Sequence, residues 1–140
     1  MRNVKYGYSL VVPSILFNNM LHVAPYVMDL EDIKEEVEFT NIEIEGLISL
    51  ADNKAKTLLV QMEQRIDKSN YSISKINRIR KTTSKKLTSL INTLIEETNY
   101  VAHNMVEVGT VNGYHIICEL VMVKIGDRLV WIDPLRVAEF

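Results

Sequence analysis

Residues 40–105 read TNIEIEGLISLADNKAKTLLVQMEQRIDKSNYSISKINRIRKTTSKKLTSLINTLIEETNYVAHNM, and this stretch decides the fold. Its apolar residues recur at gaps of three and four, which places them on one stripe of a helix. Near its middle, Ser69-Asn70-Tyr71-Ser72 has the composition of a turn. We therefore predict two helices folded back on each other, with the rest of the chain packed on this hairpin. The first stripe comprises Ile44, Ile48, Ala51, Ala55, Leu58, Met62 and Ile66.

The first helix of the hairpin is predicted to begin at Thr40. Thr40 and Glu43 have the spacing of a capping box, in which each side chain accepts the backbone N–H of the other residue. Phe39 and Ile44 are spaced as the hydrophobic staple that accompanies such a cap. A helix over residues 41–68 would be about 42 Å long.

The second helix is predicted to begin after a cap at Asn70 or Ser72 and to continue to Met105. Residues 80–86 contain no apolar side chain, so two shorter helices joined there are an alternative. We favour one continuous helix, because Thr83 occupies the stripe position and neither Gly nor Pro interrupts the segment.

Residues 29–45 are strongly acidic, with eight carboxylates and one lysine. The spacing of Ile33 and Val37 favours a separate helix capped by Asp29. Alternation of apolar residues over 37–44 leaves a small β-hairpin as the alternative. Helix is favoured, because Asp and Glu are common at helix starts and depleted in strands.

The C-terminal residues 106–140 predict a three-stranded antiparallel meander. Asn112-Gly113 indicates a hairpin turn that joins a strand at 106–108 to a return strand over 114–125. The apolar runs of the return strand, at 116–117 and 120–123, predict burial on both of its faces.

A further turn and strand complete this predicted meander. Gly126-Asp127 is expected to form the turn, and Arg128 to Ile132 the third strand. Asp133-Pro134 ends that strand, and Leu135 to Phe140 is predicted to be a short edge strand or a tail.

The N-terminal residues predict one more strand and a short helix. Tyr6 to Val12 is aromatic and β-branched, which favours a strand that ends at Pro13. Ile15 to Val23 is expected to be a helix that covers the sheet or one end of the hairpin. The predicted fold class is therefore α+β in a single domain, residues 1–140. It divides into an N-terminal strand and helix (1–28), a helical region (29–105) and a β-meander (106–140).

The composition is that of one soluble globular domain: 140 residues, 47% hydrophobic, 24% charged, with a net charge of −2. Cys118 stands alone, which excludes an internal disulfide and fits a reducing compartment. No apolar run approaches the length of a membrane span, and no signal-peptide pattern is present. We therefore expect a cytoplasmic or virion location without membrane contact.

Residues that carry chemistry do not form a recognisable motif. His103, His115 and Cys118 lack the spacing of a metal site, and His22 is expected to be packed among apolar neighbours. Cys118 is expected to be a small buried apolar residue. No second carboxylate is placed at catalytic distance from a first. We therefore predict no catalytic residue, metal or cofactor, and no enzymatic activity.

Two charged segments are the candidate interaction surfaces. The basic one holds six cations within twelve residues and no acid. Cations in this density can neutralise phosphates, but no aromatic residue within the segment is available to stack on bases, so nucleic acid is less expected than protein. The basic face comprises Lys75, Arg78, Arg80, Lys81, Lys85 and Lys86. The acidic face comprises Glu31, Asp32, Glu35, Glu36 and Glu38.

An antiparallel hairpin places these two faces toward opposite ends of the molecule. They cannot pair within one chain, but the acidic end of one copy can contact the basic end of another. Such a heterologous contact produces rings or filaments. We therefore predict a non-enzymatic structural or adaptor subunit of a homo-oligomer or multi-protein assembly, with a viral or phage particle as the leading instance. The alternative is a small regulator or inhibitor that binds a host protein or nucleic acid through the basic face.

Overall fold

The computed structural model describes residues 27–138. Two long helices form an antiparallel hairpin, and four short strands pair as two separate antiparallel ladders, β1–β4 and β2–β3. The predicted α+β class is confirmed, whereas the predicted strand over 6–12 and helix over 15–23 lie outside the described residues. The elements are α1 (Leu30–Asp67), α2 (Ile73–Val111), β1 (Ile116–Cys118), β2 (Val121–Ile125), β3 (Arg128–Ile132) and β4 (Leu135–Val137).

Helix α1 begins ten residues before the predicted start at Thr40. Asp29 and Asp32 form the capping box, each carboxylate accepting the other's backbone N–H at 3.0 Å. Thr40 lies inside the helix and its hydroxyl donates to the Glu36 carbonyl at 2.7 Å. The predicted Thr40–Glu43 box is therefore wrong. The acidic segment is helical and capped by Asp29 as predicted, but it is continuous with the first helix of the hairpin and not a separate helix.

The physical reason for the longer helix is a continuous apolar stripe. Ile33 and Val37 are buried on the same side of α1 as Ile44, so one uninterrupted helix buries more apolar surface than two shorter ones. Carboxylates in the first turn also suit the positive end of the helix dipole. The predicted staple partner Phe39 is 54% exposed instead.

Helix α2 follows the prediction at its start and through its middle. The Ser72 hydroxyl caps it by accepting the Lys75 N–H at 3.4 Å. The helix continues through residues 80–86 without a break, and Thr83 lies half-buried on its apolar stripe. One helix, rather than two short ones, is confirmed.

The C-terminal end of α2 corrects the predicted first strand of the meander. Residues 106–111 are helical, and Gly113 ends the helix with φ +81°. The Gly113 N–H donates to the Thr110 carbonyl at 3.1 Å and the Tyr114 N–H to the Gly109 carbonyl at 2.9 Å. This pattern is a Schellman motif. Asn-Gly supplies a positive φ that ends a helix as readily as it turns a hairpin.

The predicted return strand over 114–125 is two strands, because the chain changes partners within it. Strand β1 pairs with β4, and after Glu119-Leu120 strand β2 pairs with β3. The strands therefore form two ladders and not a three-stranded meander, while β4 is the predicted edge strand. Leu120, Val121 and Met122 are exposed, so burial on both faces is wrong for this run.

Polar contacts fix the strands to both helices. The Gly126 N–H donates to the Asp52 carboxylate of α1 at 2.8 Å. The Arg128 guanidinium donates to the hydroxyls of Ser84 at 2.8 Å and Thr88 at 2.7 Å, both on α2. The β2–β3 turn is therefore held between the two helices.

The closed end of the hairpin, residues 60–83, is made by the helices and their connecting turn. Within it only Ile79 is buried. Over residues 27–138, neither helix has an apolar stretch of the length and hydropathy needed to cross a membrane.

Candidate functional site

A groove runs between the two helices at the closed end of the hairpin. Its volume is about 580 Å³ and it carries four cationic side chains, together with hydroxyl groups and an apolar floor. We call it the basic groove. Its cations are Arg65, Lys75, Arg78 and Lys86; its apolar residues are Leu58, Met62 and Ile79; its hydroxyls come from Ser72, Ser74, Thr82 and Thr83.

The spacing of these residues explains why they share one groove. On α1 they are three or four positions apart, and on α2 the same spacing recurs, so each set forms one side of its helix. Ile79 is the buried residue of the floor. Long cationic side chains can lie along such a floor and keep their charged ends at the rim.

The positive charge of the groove is not compensated by carboxylates within the described part of the chain. The ion pairs of residues 27–138 lie elsewhere, and none includes a groove cation. Lys75 contacts the Tyr71 ring, with Nζ 3.9 Å from the ring centroid. A hydrogen bond from Ser69 and then the charge of Lys75 lower the pKa of Tyr71. The ion pairs are Lys34–Glu31, Lys56–Asp52 and Arg136–Glu119, and His103 contacts Glu107.

The structure divides the predicted basic face. Lys75, Arg78 and Lys86 line the groove, whereas Arg80, Lys81 and Lys85 are exposed outside it. Sequence reasoning missed Arg65, because it lies on the other helix and outside the run of cations. The antiparallel register was the available signal, since a turn at 69–71 places Arg65 opposite the start of α2.

The predicted acidic face lies at the other end of α1, and its members have different surroundings. Glu31, Glu35 and Glu38 are exposed, whereas Asp32 is part of the capping box. Glu36 is half-buried. Burial raises its pKa, with smaller contributions from the neighbouring charges of Glu35 and Asp32.

The exposed carboxylates share their side of α1 with apolar residues that the sequence analysis placed elsewhere. Phe39 and Ile42 are 54% and 58% exposed. Gaps of three and four from residue 35 to residue 46 put this set on the side of α1 opposite Ile33, Val37 and Ile44. We call it the acidic ridge: Glu35, Glu38, Phe39, Ile42, Glu45 and Gly46.

Glu43 lies beside this ridge but turns toward the protein. Its Oε1 atom is buried and has no hydrogen-bond partner. Burial raises the pKa of this carboxyl group. Glu43 therefore carries an electrostatic cost in its charged form, and it belongs to the packed side of α1 instead of the exposed ridge.

The outward face of the β2–β3 ladder is a third exposed surface. Met122 lies opposite Trp131 in the register, and both side chains point away from the helices. In β3 the residues on either side of Trp131, Val130 and Ile132, are buried. We call this surface the outer sheet face: Leu120, Met122, Leu129 and Trp131, which are 63%, 46%, 68% and 55% exposed.

No protein-family model, curated protein or solved structure matches the chain. Support for a function therefore comes from the described surfaces themselves. Among them, the basic groove and the acidic ridge have opposite charge and both combine charged with apolar side chains.

The residues considered for metal binding do not form a cluster in the described structure. Over residues 27–138, no three His, Cys, Asp or Glu side chains are grouped so that they could hold a metal ion. His103 contacts Glu107, with 3.3 Å between Nε2 and Oε1. Cys118 is exposed, so the expectation that it is buried is wrong. His22 lies outside the described residues.

Proposed function

We propose that this chain is a non-enzymatic structural or adaptor subunit that associates with other protein chains through its charged surfaces. The observation that carries the proposal is the separation of unlike charges along α1. Ile42 of the acidic ridge and Met62 of the basic groove are twenty residues apart, which corresponds to about 30 Å of helix. The acidic ridge and the basic groove therefore cannot contact each other within one chain.

Exposed apolar side chains add support for association. Phe39 and Ile42 on the acidic ridge are both more than half exposed. Apolar side chains clustered on a surface are typical of interaction sites. Charge on the same surfaces sets the rate and register of an encounter, while apolar burial supplies affinity.

Sedimentation velocity over a range of protein and salt concentrations tests this proposal. We expect oligomers that grow with protein concentration at low salt and dissociate as salt screens the charged contacts. A protein that stays monomeric at high concentration and at every ionic strength would contradict self-association.

We further propose that the assembly is a viral or phage particle, which would place the chain in the virion or in the cytoplasm where particles form. The support is that the sequence has no evident catalytic motif and that exposed apolar surface is typical of subunits completed by neighbours. Quantitative mass spectrometry of purified particles would test this. A fixed ratio of this chain to the other particle proteins is expected, and its absence from particles would contradict the proposal.

The uncompensated cations of the basic groove favour one second candidate, a regulator that binds an acidic protein surface or a nucleic acid. Fluorescence anisotropy with labelled DNA and RNA oligonucleotides tests the nucleic-acid form. If it is right, Arg78→Glu with Lys86→Glu abolishes binding, while Arg80→Glu with Lys81→Glu outside the groove weakens it less. Equal losses from both pairs would mean that general charge, and not the groove, attracts the oligonucleotide.

A further inference from the structure

The basic groove and the acidic ridge complement each other in charge, apolar content and length. We infer that the groove of one copy binds the ridge of a second copy, so that copies associate head to tail. This inference rests on the proposed function, in which the charged surfaces bind other protein chains. It names a second copy of this chain as that partner.

Charge complementarity is the first support. Four cations line the groove, and the ridge carries three carboxylates, those of Glu35, Glu38 and Glu45. Within residues 27–138, none of these seven side chains forms an ion pair with another. Both surfaces therefore keep their full charge for a partner.

Apolar complementarity is the second support. Phe39 and Ile42 form the crest of the ridge and are exposed, while Leu58, Met62 and Ile79 lie at the floor of the groove. A crest of this kind can bury its apolar side chains on such a floor while its carboxylates meet the cations at the rim. Contact surfaces with an apolar centre and a charged edge are typical of specific interfaces.

The dimensions of the two surfaces also agree. The ridge spans residues 35–46, about 17 Å of helix, and the α2 side of the groove spans residues 72–86, about 21 Å. Apart from the nearby backbone of α1 and the adjacent residues, a Cβ added at Gly46 would have no atom of residues 27–138 within 4 Å. The backbone of α1 is therefore open to close approach by another helix at one end of the ridge.

The arrangement on α1 favours a chain or ring of copies over a closed pair. Ile42 and Met62 are separated by about 160° around the helix axis as well as by about 30 Å along it. One neighbour cannot reach both surfaces at once, because they face nearly opposite directions. Each added copy then leaves one groove and one ridge free, which is the property of a heterologous interface.

Mixing two variants in sedimentation velocity tests this contact. The groove variant carries Arg78→Glu and Lys86→Glu, and the ridge variant carries Phe39→Ser and Ile42→Ser. Each alone retains only one functional surface, so we expect a monomer at concentrations where the unmodified chain forms oligomers. An equimolar mixture should form a dimer and nothing larger, because the groove of one variant binds the ridge of the other.

Two control variants and circular dichroism complete the experiment. Arg80→Glu with Lys81→Glu makes the same charge change outside the groove, and Met122→Ser with Leu129→Ser removes two apolar side chains from the outer sheet face. Both should assemble like the unmodified chain, and all variants should keep their helical spectrum.

The outcomes separate this inference from the function that it rests on. If the unmodified chain assembles but the groove and ridge variants do so equally well, the head-to-tail contact is wrong and the assembly function stands. The same holds if the sheet-face control alone loses assembly, or if the unmodified chain stops at a dimer. If the unmodified chain is monomeric throughout, the head-to-tail contact and self-association both fail.

Discussion

The side-chain amide of Asn41 forms two hydrogen bonds with the backbone of Leu135, each 2.8 Å long. Nδ2 donates to the Leu135 carbonyl and Oδ1 accepts the Leu135 N–H, so the amide acts as a neighbouring strand would. Leu135 is buried, and its strand pairs with β1 on its other edge. One side chain of α1 therefore completes the outer edge of β4 and fixes the end of the sheet to the hairpin.

Asn41→Ala should destabilise the protein by about 2–3 kcal/mol, because it leaves the Leu135 N–H and C=O without partners in a partly buried position. Urea unfolding monitored by circular dichroism measures this change. Asn53→Ala is the matched control, since Asn53 is an exposed residue of the same helix. The control should change stability by no more than about 0.5 kcal/mol, and equal effects from the two variants would remove the role assigned to Asn41.

Replacing Gly126 and Gly46 with alanine should change the stability of the protein in opposite directions. Gly126 has φ +61°, and an added Cβ would lie 2.9 Å from the Ala55 Cβ. The left-handed conformation alone costs about 1–2 kcal/mol for alanine, and the close contact with α1 adds to this. Gly46 is helical with open space around it, so Gly46→Ala should stabilise by about 0.5–1 kcal/mol.

Thermal unfolding measures the change in stability of each glycine variant, at a concentration that keeps the chain monomeric. A loss of stability for Gly126→Ala and a gain for Gly46→Ala are expected. A neutral result for Gly126→Ala would mean that the β2–β3 turn is not held against α1 at this point.

Glu43→Gln should stabilise the protein at neutral pH, because the charged carboxyl group is partly buried with an unpaired oxygen. Burial raises the pKa of Glu43 in the folded state above its unfolded value. The folded state therefore binds a proton more tightly, and its stability falls as the pH rises from the ordinary glutamate pKa through the raised value. The gain for Gln at pH 7 is about 1 kcal/mol or less.

Denaturant titrations between pH 3.5 and pH 7 measure this dependence. The advantage of Glu43→Gln should shrink as the pH falls, since the wild-type carboxyl group is then protonated in both states. Glu36→Gln should behave in the same direction, because burial also raises the pKa of Glu36. Glu96→Gln, on an exposed site of α2, is the control. If Glu43→Gln gives the same gain at every pH, the charge of Glu43 is not its cause.

Local patterns were sufficient to predict the hairpin, a cap at Asn70 or Ser72, the continuous second helix and the Gly126-Asp127 turn. Each depends on residues close together in sequence. The ends of the helices could not be predicted in the same way, because Thr40 and Asp29 offer equally acceptable caps locally. Their choice depends on whether Ile33 and Val37 find a packed surface, which is a property of the tertiary fold.

Asn112-Gly113 shows the same limitation at the other end of the hairpin. The pair is compatible with a hairpin turn and with a helix end. The residue that the Asn112 side chain contacts lies far away in sequence. The Asn112 Oδ1 atom accepts the Met28 N–H at 3.0 Å, which ties the start of α1 to the end of α2. No local pattern contains that contact.

The candidate site was predicted in part for a related reason. A run of cations on one helix is visible in sequence, so Lys75, Arg78 and Lys86 were included. The groove needs two helices, and Arg65 and Met62 come from α1, which does not carry the run of cations. Phe39 and Ile42 were assigned to a staple or strand, since a helix with apolar residues on two sides gives no local signal of which side is exposed.

Disulfide trapping tests the head-to-tail contact most directly. In a Cys118→Ser background, Ile42→Cys and Met62→Cys place one thiol on the ridge and one in the groove. These positions are about 30 Å apart within a chain, whereas a disulfide needs Cα atoms within about 7 Å. Only a second copy can therefore supply the partner.

Oxidation of this double variant followed by a non-reducing gel gives the result. We expect a ladder of covalent dimers, trimers and larger species, while Ile42→Cys combined with Leu129→Cys on the outer sheet face gives none beyond background. Monomer alone, or a ladder no stronger than that of the control, would contradict the binding of one copy's ridge in another copy's groove.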